Sequence, residues 1–405
     1  MRKDGFMRPV IKSLLGILAG PRHQDGADLT ILRKADGRTT TSASEGHTVA
    51  TAQLKQWFAS PEEEFTGIHT EVDWEKCMRD EAFFLDKTEH TQVPLPLRKK
   101  IFDAMANVSG QADTDRMMQD VFRQVPTYDD WTEMIQSSHN NSSGGMSGCS
   151  YNQIKMWPEP VSRSVYGCLV NMWNVKSMPV SWKWRWLVPI PKGASTIPSV
   201  DDLRPLILVE AVRKIWSKLV LKQLKQVWSK QPILNESQHG YRAARSTMTA
   251  SLLHLNLLED AWDSGKPLHS TSWDMSKAFD SVSKNMMRIA WRRVGVPLDV
   301  TEWLVQLDIN GTTVVRTPFA VEQWNLRGYH AIKQDDNIAG LPEGIEPDPI
   351  LGLLEAFHAE RGTGQGNVTS PTCWNAVFDI LLTALYRDSV QRGHTRMVQS
   401  MVLGA

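Results

Sequence analysis

The stretch Trp273-Asp274-Met275-Ser276-Lys277-Ala278-Phe279-Asp280-Ser281-Val282 decides how the rest of the chain is read. Ahead of it, Leu268 to Trp273 (LHSTSW) carries the Thr and Trp that favour a pleated, half-buried surface, and predicts a short β segment. Behind it, Ser283 to Val294 (SKNMMRIAWRRV) predicts a helix with Ser283 as its N-cap. A strand, a carboxylate at its mouth, an aromatic five residues on and then a helix place Asp274 where an acidic oxygen can hold a metal ion. The meaning of these ten residues comes from what lies on either side.

With 405 residues, 41% apolar and 22% charged, the chain reads as a soluble globular protein of two or three structural units. A formal net charge of zero argues at first against a nucleic-acid partner, but the charge is unevenly spread. Residues 161–245 hold 14 Lys or Arg against 4 Asp or Glu, whereas residues 321–360 hold 2 against 8. The four cysteines, at 77, 149, 168 and 373, show neither CxxC pairing nor a histidine at zinc spacing. A reducing, intracellular compartment is the simple reading. Ile11 to Ala19 imitates a signal peptide but is short and interrupted by Lys12, and no run approaches a membrane span.

Residues 1–85 are expected to be a linker-like region, with a turn at Asp36-Gly37 and an amphipathic helix over Val49 to Phe58. Residues 90–136 read as mostly helical, and Ser137 to Ser150 (SSHNNSSGGMSGCS) as a flexible stretch. In WRWLVPIPK, which ends at Lys192, the LVPI portion is strand-like, with prolines confining it to an edge. Val209 to Trp228 predicts a helix with Val212, Trp216, Leu219, Val220, Leu224 and Val227 on one stripe. Its Lys214, Lys218, Lys222 and Lys225 lie off that stripe, beside further basic residues, as a surface able to track a phosphate backbone. Gln238 to Thr247 (QHGYRAARST) is a loop leading into a helix from Met248 to Trp262.

A second anchor is Arg361-Gly362-Thr363-Gly364-Gln365-Gly366-Asn367-Val368-Thr369-Ser370-Pro371. Ser370 as N-cap and Pro371 at the first helical position predict a helix with Trp374, Val377, Phe378, Leu381, Leu382 and Leu385 on its core face, stopping near Gly393. A dinucleotide-binding reading of its glycines fails, because helix-like ILGLLEAFHAE precedes them instead of a strand.

Taken together, the chain resembles the reverse transcriptases of LINE-type (non-LTR) retrotransposons. Five segments match in the family's order: SGGMSGCSYNQIKMWP, WLVPIPK with Leu203-Arg204-Pro205-Leu206, QHGYRAARST, WDMSKAFDSV and RGTGQGNVTSP. The resemblance covers residues 140–385 or so and implies an α+β, right-hand polymerase architecture. It places largely helical fingers in residues 86–265 and a partial palm, an incomplete antiparallel sheet, in residues 266–405. It implies an RNA template, a DNA primer and deoxynucleoside triphosphates as partners, with two Mg²⁺ (or Mn²⁺) ions serving an in-line attack by the primer hydroxyl. Asp274 becomes the catalytic carboxylate and a metal ligand, with the Met275 carbonyl as a second donor. Phe279 would lie under the sugar and exclude a 2′-hydroxyl; Gln365 and Gly366 would contact nucleotide and template. Lys192 and Arg204 would grip phosphates, and Arg242, Arg245, Lys214 and Lys218 would hold nucleic acid. Asp280 is expected to serve the start of the following helix. A nuclear or cytoplasmic ribonucleoprotein is the implied setting; oligomeric state is left open.

Two departures from the family are visible. An acidic stretch over Phe319 to Pro349 is longer than expected, and its Gln334-Asp335-Asp336-Asn337 reads as a surface loop rather than as a polymerase Asp-Asp pair. The Ala-Asp-Asp hairpin and the thumb do not follow residue 392, so the chain is expected to be a truncated parent that does not polymerise alone and carries an uncovered apolar face. A viral-type RNA polymerase is disfavoured by RGTGQG, and the rival from another class is a catalytically inactive, RNA-binding remnant.

Overall fold

Apolar residues at helical spacing, closed by short polar caps, build most of the molecule. The computed structural model describes residues 31–59, 72–108, 111–140, 143–192, 197–270, 274–275, 277–308, 311–324 and 354–391. The helices of ten residues or more are α1 (Ala43–Phe58), α2 (Leu95–Ala106), α3 (Gln111–Arg123), α4 (Tyr128–Ser137) and α5 (Glu159–Asn174), then α6 (Ala211–Trp228), α7 (Thr247–Ser264), α8 (Lys284–Arg293), α9 (Leu298–Asp308) and α10 (Ser370–Gln391). Ser283 caps α8 by accepting from the Met286 N–H, as its position before the apolar run predicts. Ser370, by contrast, is the first residue of α10, and its hydroxyl donates to the Gly364 carbonyl instead of capping. The expected stop at Gly393 lies outside the described residues.

Strands β1 (Arg185–Pro191), β2 (Leu203–Leu208), β3 (Thr312–Val315) and β4 (Phe357–His358) form one sheet in the order β2-β1-β3-β4. It is mixed rather than antiparallel, because β1 and β3 run parallel while the other two pairs are antiparallel. The edge position expected for β1 is also corrected: it is central. Its prolines are tolerated because β3 pairs only with Arg185 to Leu187, leaving Pro189 and Pro191 with β2 alone as a neighbour.

The period-2 alternation of β1 sorts its side chains to two covered faces. Leu187 joins Leu203, Ile207, Val315 and Phe357 under Leu54, Trp57 and Phe58 of α1. Trp184 and Trp186 point the other way, onto Met146, Val314 and Trp324. The described residues 31–59 are therefore part of the sheet's core, with α1 packed on one of its faces. Beside the sheet, Trp131, Trp173, Trp216, Trp291 and Trp303 centre the largest apolar cluster. Trp303 meets Trp173 edge-on at 5.1 Å between ring centroids, and its indole N–H donates to the Ser177 carbonyl, so that donor stays paired on burial.

The glycine- and serine-rich stretch before Ser150 is not the linker its composition suggests. In its described part, the Ser147 N–H and hydroxyl both donate to the Glu210 carboxylate, and the Met146 carbonyl accepts from Trp324. A side chain at Gly145 would lie 2.6 Å from the Glu210 backbone nitrogen, so this glycine admits close packing rather than flexibility.

Helix α7 behaves oppositely. Its capping box at Ser246 is well formed, yet Ala250 is its sole buried residue. Met248, Leu252, Leu255, Leu258 and Trp262 are all exposed, Trp262 by 87%. Their spacing puts them on one stripe with no described partner. The double variant Leu255→Glu/Trp262→Glu is therefore expected to raise the monomeric, soluble fraction, by about two-fold or more, with an unchanged far-ultraviolet dichroism spectrum. Size-exclusion chromatography with light scattering reads the outcome. Loss of helical signal would show instead that the stripe is buried in solution.

Candidate functional site

The two anchoring motifs meet through their backbones. Residues 277–281 close a helical turn, with the Asp280 and Ser281 N–H groups both donating to the Lys277 carbonyl at 2.9 Å. Against it lies the 362–367 loop: the Gly362 N–H donates to the Val282 carbonyl and the Thr363 N–H to the Phe279 carbonyl, each at 2.8 Å. The loop is fastened to β2 by the Ile207 N–H, which donates to the Gln365 carbonyl at 2.6 Å. Gly364-Gln365-Gly366-Asn367 is a tight turn, closed by the Asn367 N–H on the Gly364 carbonyl. Gly366 holds φ +92°, the left-handed backbone that the third residue of a type II turn requires. At Gly364 a side chain would strike Ile207 at 2.5 Å.

Around this junction three cations surround one buried carboxyl. The Lys277 ammonium sits 4.1 Å from the centre of the Trp57 ring and that of Lys192 at 5.8 Å from the same ring. The Arg361 guanidinium donates to the Trp57 carbonyl, and the Glu360 N–H to that of Phe58, so the end of α1 is bonded to the second motif. Asp280 is 1% exposed, and its Oδ1 has no hydrogen-bond partner. Burial pushes its carboxyl up to about 7, against the pull of Lys277, Arg361 and Lys192. The helix-start role expected from sequence falls instead to Ser283, which caps α8, while Asp280 is buried ahead of it.

The candidate residues fall in three groups. Phe279 is half-buried, its ring 5.6 Å from Trp374 and edge-on to Tyr241 at 6.1 Å, so it borders both core and surface. Gln365 is half-buried and Gly366 exposed on the turn just described; Arg204 is exposed on β2, and Lys192 at the end of β1 donates to the Asp201 carbonyl. Asp274 and Met275 are exposed and outside regular structure. The strand expected ahead of them does not form over 268–270, which is exposed coil; 271–273 lie outside the described residues, as does Gln334 to Asn337.

Among the basic candidates, Arg242 donates to the carbonyls of Asn235 and Gln238 and thereby shapes its own loop; Arg245 is half-buried nearby. The α6 lysines are corrected. Lys214 is buried and donates to the Ser143 carbonyl, and Lys218 reaches Ser138 and lies over the Tyr151 ring. Lys222 pairs with Asp130 and Glu133. These side chains staple the preceding segment to the helix instead of forming a solvated basic face, and burial lowers the pKa of Lys214 and Lys218.

Two magnesium ions require several hard oxygen ligands. Among the described residues no group of three or more His, Cys, Asp or Glu gathers, and Asp274 stands on an exposed loop. The described residues therefore do not make up the donor set of a two-ion centre. Trp57 and Asp308, the second of which buttresses the 362–367 loop, were not legible as site residues; the motifs that point to the site do not contain them. No described helix is long and apolar enough to cross a membrane.

No protein-family model matches the chain. Over 125 residues it is 26% identical to a probable RNA-directed DNA polymerase from transposon BS of Drosophila melanogaster, covering 30% of this chain and 14% of that protein. Over 186 residues it is 23% identical to a retrovirus-related Pol polyprotein from type-1 retrotransposable element R2 of Popillia japonica, covering 46% of this chain and 26% of that protein. Over 223 residues it is 22% identical to a probable RNA-directed DNA polymerase from transposon X-element of Drosophila melanogaster, covering 55% of this chain and 23% of that protein. The matches thus reach at most 26% of the length of these relatives.

Proposed function

We propose, from the premise that the chain is related to the LINE-type (non-LTR) reverse transcriptases, that it supplies the fingers and part of the palm of an RNA-directed DNA polymerase. The observation that supports this reading is the backbone junction of residues 277–282 with 362–363, together with the bond from Ile207 to Gln365. Three segments far apart in the chain are thereby bonded to one another. In this proposal the half-buried Phe279 ring underlies the sugar of an incoming nucleotide, where a 2′-hydroxyl would collide with it. The Gln365 side chain contacts nucleotide or template from a turn held by the bonds to the Gly364 and Gln365 carbonyls. Lys192 and Arg204 take phosphate oxygens, Arg242 and Arg245 the template backbone, and Asp274 offers one carboxylate to a divalent ion. Magnesium or manganese, an RNA template, a DNA primer and deoxynucleoside triphosphates belong to the same proposal.

A fluorescent deoxyguanosine triphosphate, titrated with magnesium, tests it. The chain is expected to prefer the deoxy form over its ribo counterpart, and Phe279→Ala to reduce that preference by about ten-fold, the scale of one steric contact. Magnesium-dependent extension of a DNA primer on an RNA template that disappears in Asp274→Ala would show that the chain polymerises by itself. Salt-sensitive RNA binding without any nucleotide binding would favour the second reading, an inactive RNA-binding remnant.

A further inference from the structure

We infer that Asp308 is a positioning residue whose buried carboxylate aims the Gln365 turn, an inference that rests on Gln365 contacting nucleotide. Asp308 ends α9 and is fully enclosed, yet each of its carboxylate oxygens is used. Oδ2 accepts from the Thr363 hydroxyl at 2.9 Å and Oδ1 from the Asn367 side-chain amide at 2.5 Å. The two donors flank Gly364-Gln365-Gly366, so one side chain spans both ends of the turn. Asn367 is held in its own orientation, because its Oδ1 accepts from the Val368 N–H.

Asp308 is itself braced from behind. The Arg185 guanidinium donates to the Asp308 carbonyl at 2.7 Å and to the Thr313 hydroxyl at 2.8 Å. Arg213 donates to the carbonyls of Trp182 and Leu307. Burial pushes the Asp308 carboxyl up, while Arg213, the two hydrogen bonds and Arg185 oppose that rise. The network runs from β1, α6 and β3 through the end of α9 into the turn. The Ile207 bond to the Gln365 carbonyl and the Ser370 bond to that of Gly364 fix the turn further, and the half-buried Gln365 side chain is carried on it.

An asparagine at 308 has nearly the same shape but replaces one acceptor with a donor. Facing Asn367 it sets amide against amide, and turning Asn367 to suit forfeits the bond from Val368. Facing Thr363 it forces that hydroxyl to accept and to find another partner for its proton. The amide also removes the carboxylate charge that Arg185 and Arg213 share, leaving Glu210 as Arg213's remaining acidic neighbour.

The test compares wild type, Asp308→Asn, the milder Thr363→Val and the control Gln365→Ala. Backbone amides of 362–368 are followed by hydrogen exchange, and binding of the fluorescent deoxynucleotide with magnesium and of a single-stranded RNA is titrated. In Asp308→Asn the loop amides should exchange about ten-fold faster with α6 and α10 unchanged, and nucleotide affinity should fall about ten-fold with RNA affinity unaltered, the scale of one or two buried hydrogen bonds. A merely structural role would lower both affinities together and loosen the helices as well. Should Asp308→Asn not fold, Thr363→Val gives the same two readings with a smaller shift. Unchanged loop exchange in the folded variants overturns the inference, as does a loosened loop with full nucleotide affinity while Gln365→Ala loses it. Absence of nucleotide binding in wild type and in Gln365→Ala alike would instead overturn the reading of the site, and with it Asp308's part in nucleotide binding.

Discussion

Replacing Asp379 with alanine is expected to cost about 3–5 kcal/mol of unfolding free energy, the range for stripping one partner from a buried ion pair. Asp379 and Arg293 have side chains only 0% and 2% exposed and meet at 2.6 Å. The pair does more than neutralise charge. Arg293 also donates to the Ala104 carbonyl and the Thr383 hydroxyl, while Asp379 accepts from the Asn235 N–H at 2.5 Å. One polar knot thus joins α8, α10, α2 and the loop before Gln238, between apolar contacts of Ile289, Ile380 and Met105. Alanine leaves a buried guanidinium without its carboxylate and a half-buried amide without its acceptor. Urea denaturation followed by tryptophan fluorescence measures the loss; a change under about 1 kcal/mol would mean that water enters the site. The double variant Arg293→Met/Asp379→Leu should recover only part of the loss, since the Asn235 N–H stays unpaired.

The advantage of Asp280→Asn over wild type should grow by on the order of 3 kcal/mol between pH 5 and pH 8. The sign follows from the raised carboxyl. With its folded-state value lifted from an ordinary 3.8 to about 7, native Asp280 binds its proton more tightly than the unfolded chain does. Its contribution is complete below the ordinary value and is lost as pH rises through 7, where a buried carboxylate with an unpartnered Oδ1 must ionise. An amide has nothing to ionise. Denaturation midpoints for both proteins at the two pH values, compared as differences, cancel every other titrating group. A difference that stays constant with pH would show that Lys277, Arg361 and Lys192 hold Asp280 ionised throughout.

How much of this was readable beforehand depends on how local the cause is. The helix over Lys284–Arg293 and its Ser283 cap follow from residues within a few positions of one another, and the structure reproduces them. The order of the motifs and the relation to LINE-type reverse transcriptases were equally legible, because the residue types that carry them are contiguous. The site's far-side supports were not. Glu210 gathering Ser147, Trp57 beneath Lys277, and Asp308 bridging Thr363 and Asn367 each join residues 55 to 220 positions apart, and none is marked by local pattern.

What the chain's own order of residues determined is therefore the inventory: where helices start, which strand alternates, and which short motifs stand together. Which surfaces those elements present was decided in three dimensions. Lys214 turned inward to the Ser143 carbonyl, and Lys222 paired with Asp130 and Glu133, because those groups came to meet them, while Lys225 stayed exposed. Strand β1 became central because β3 arrived from more than a hundred residues away. The run before Asp274 stayed exposed over 268–270, where no described strand pairs with it. Propensity and periodicity act within a few residues, whereas burial, pairing and the ionisation of a carboxyl depend on what is brought alongside.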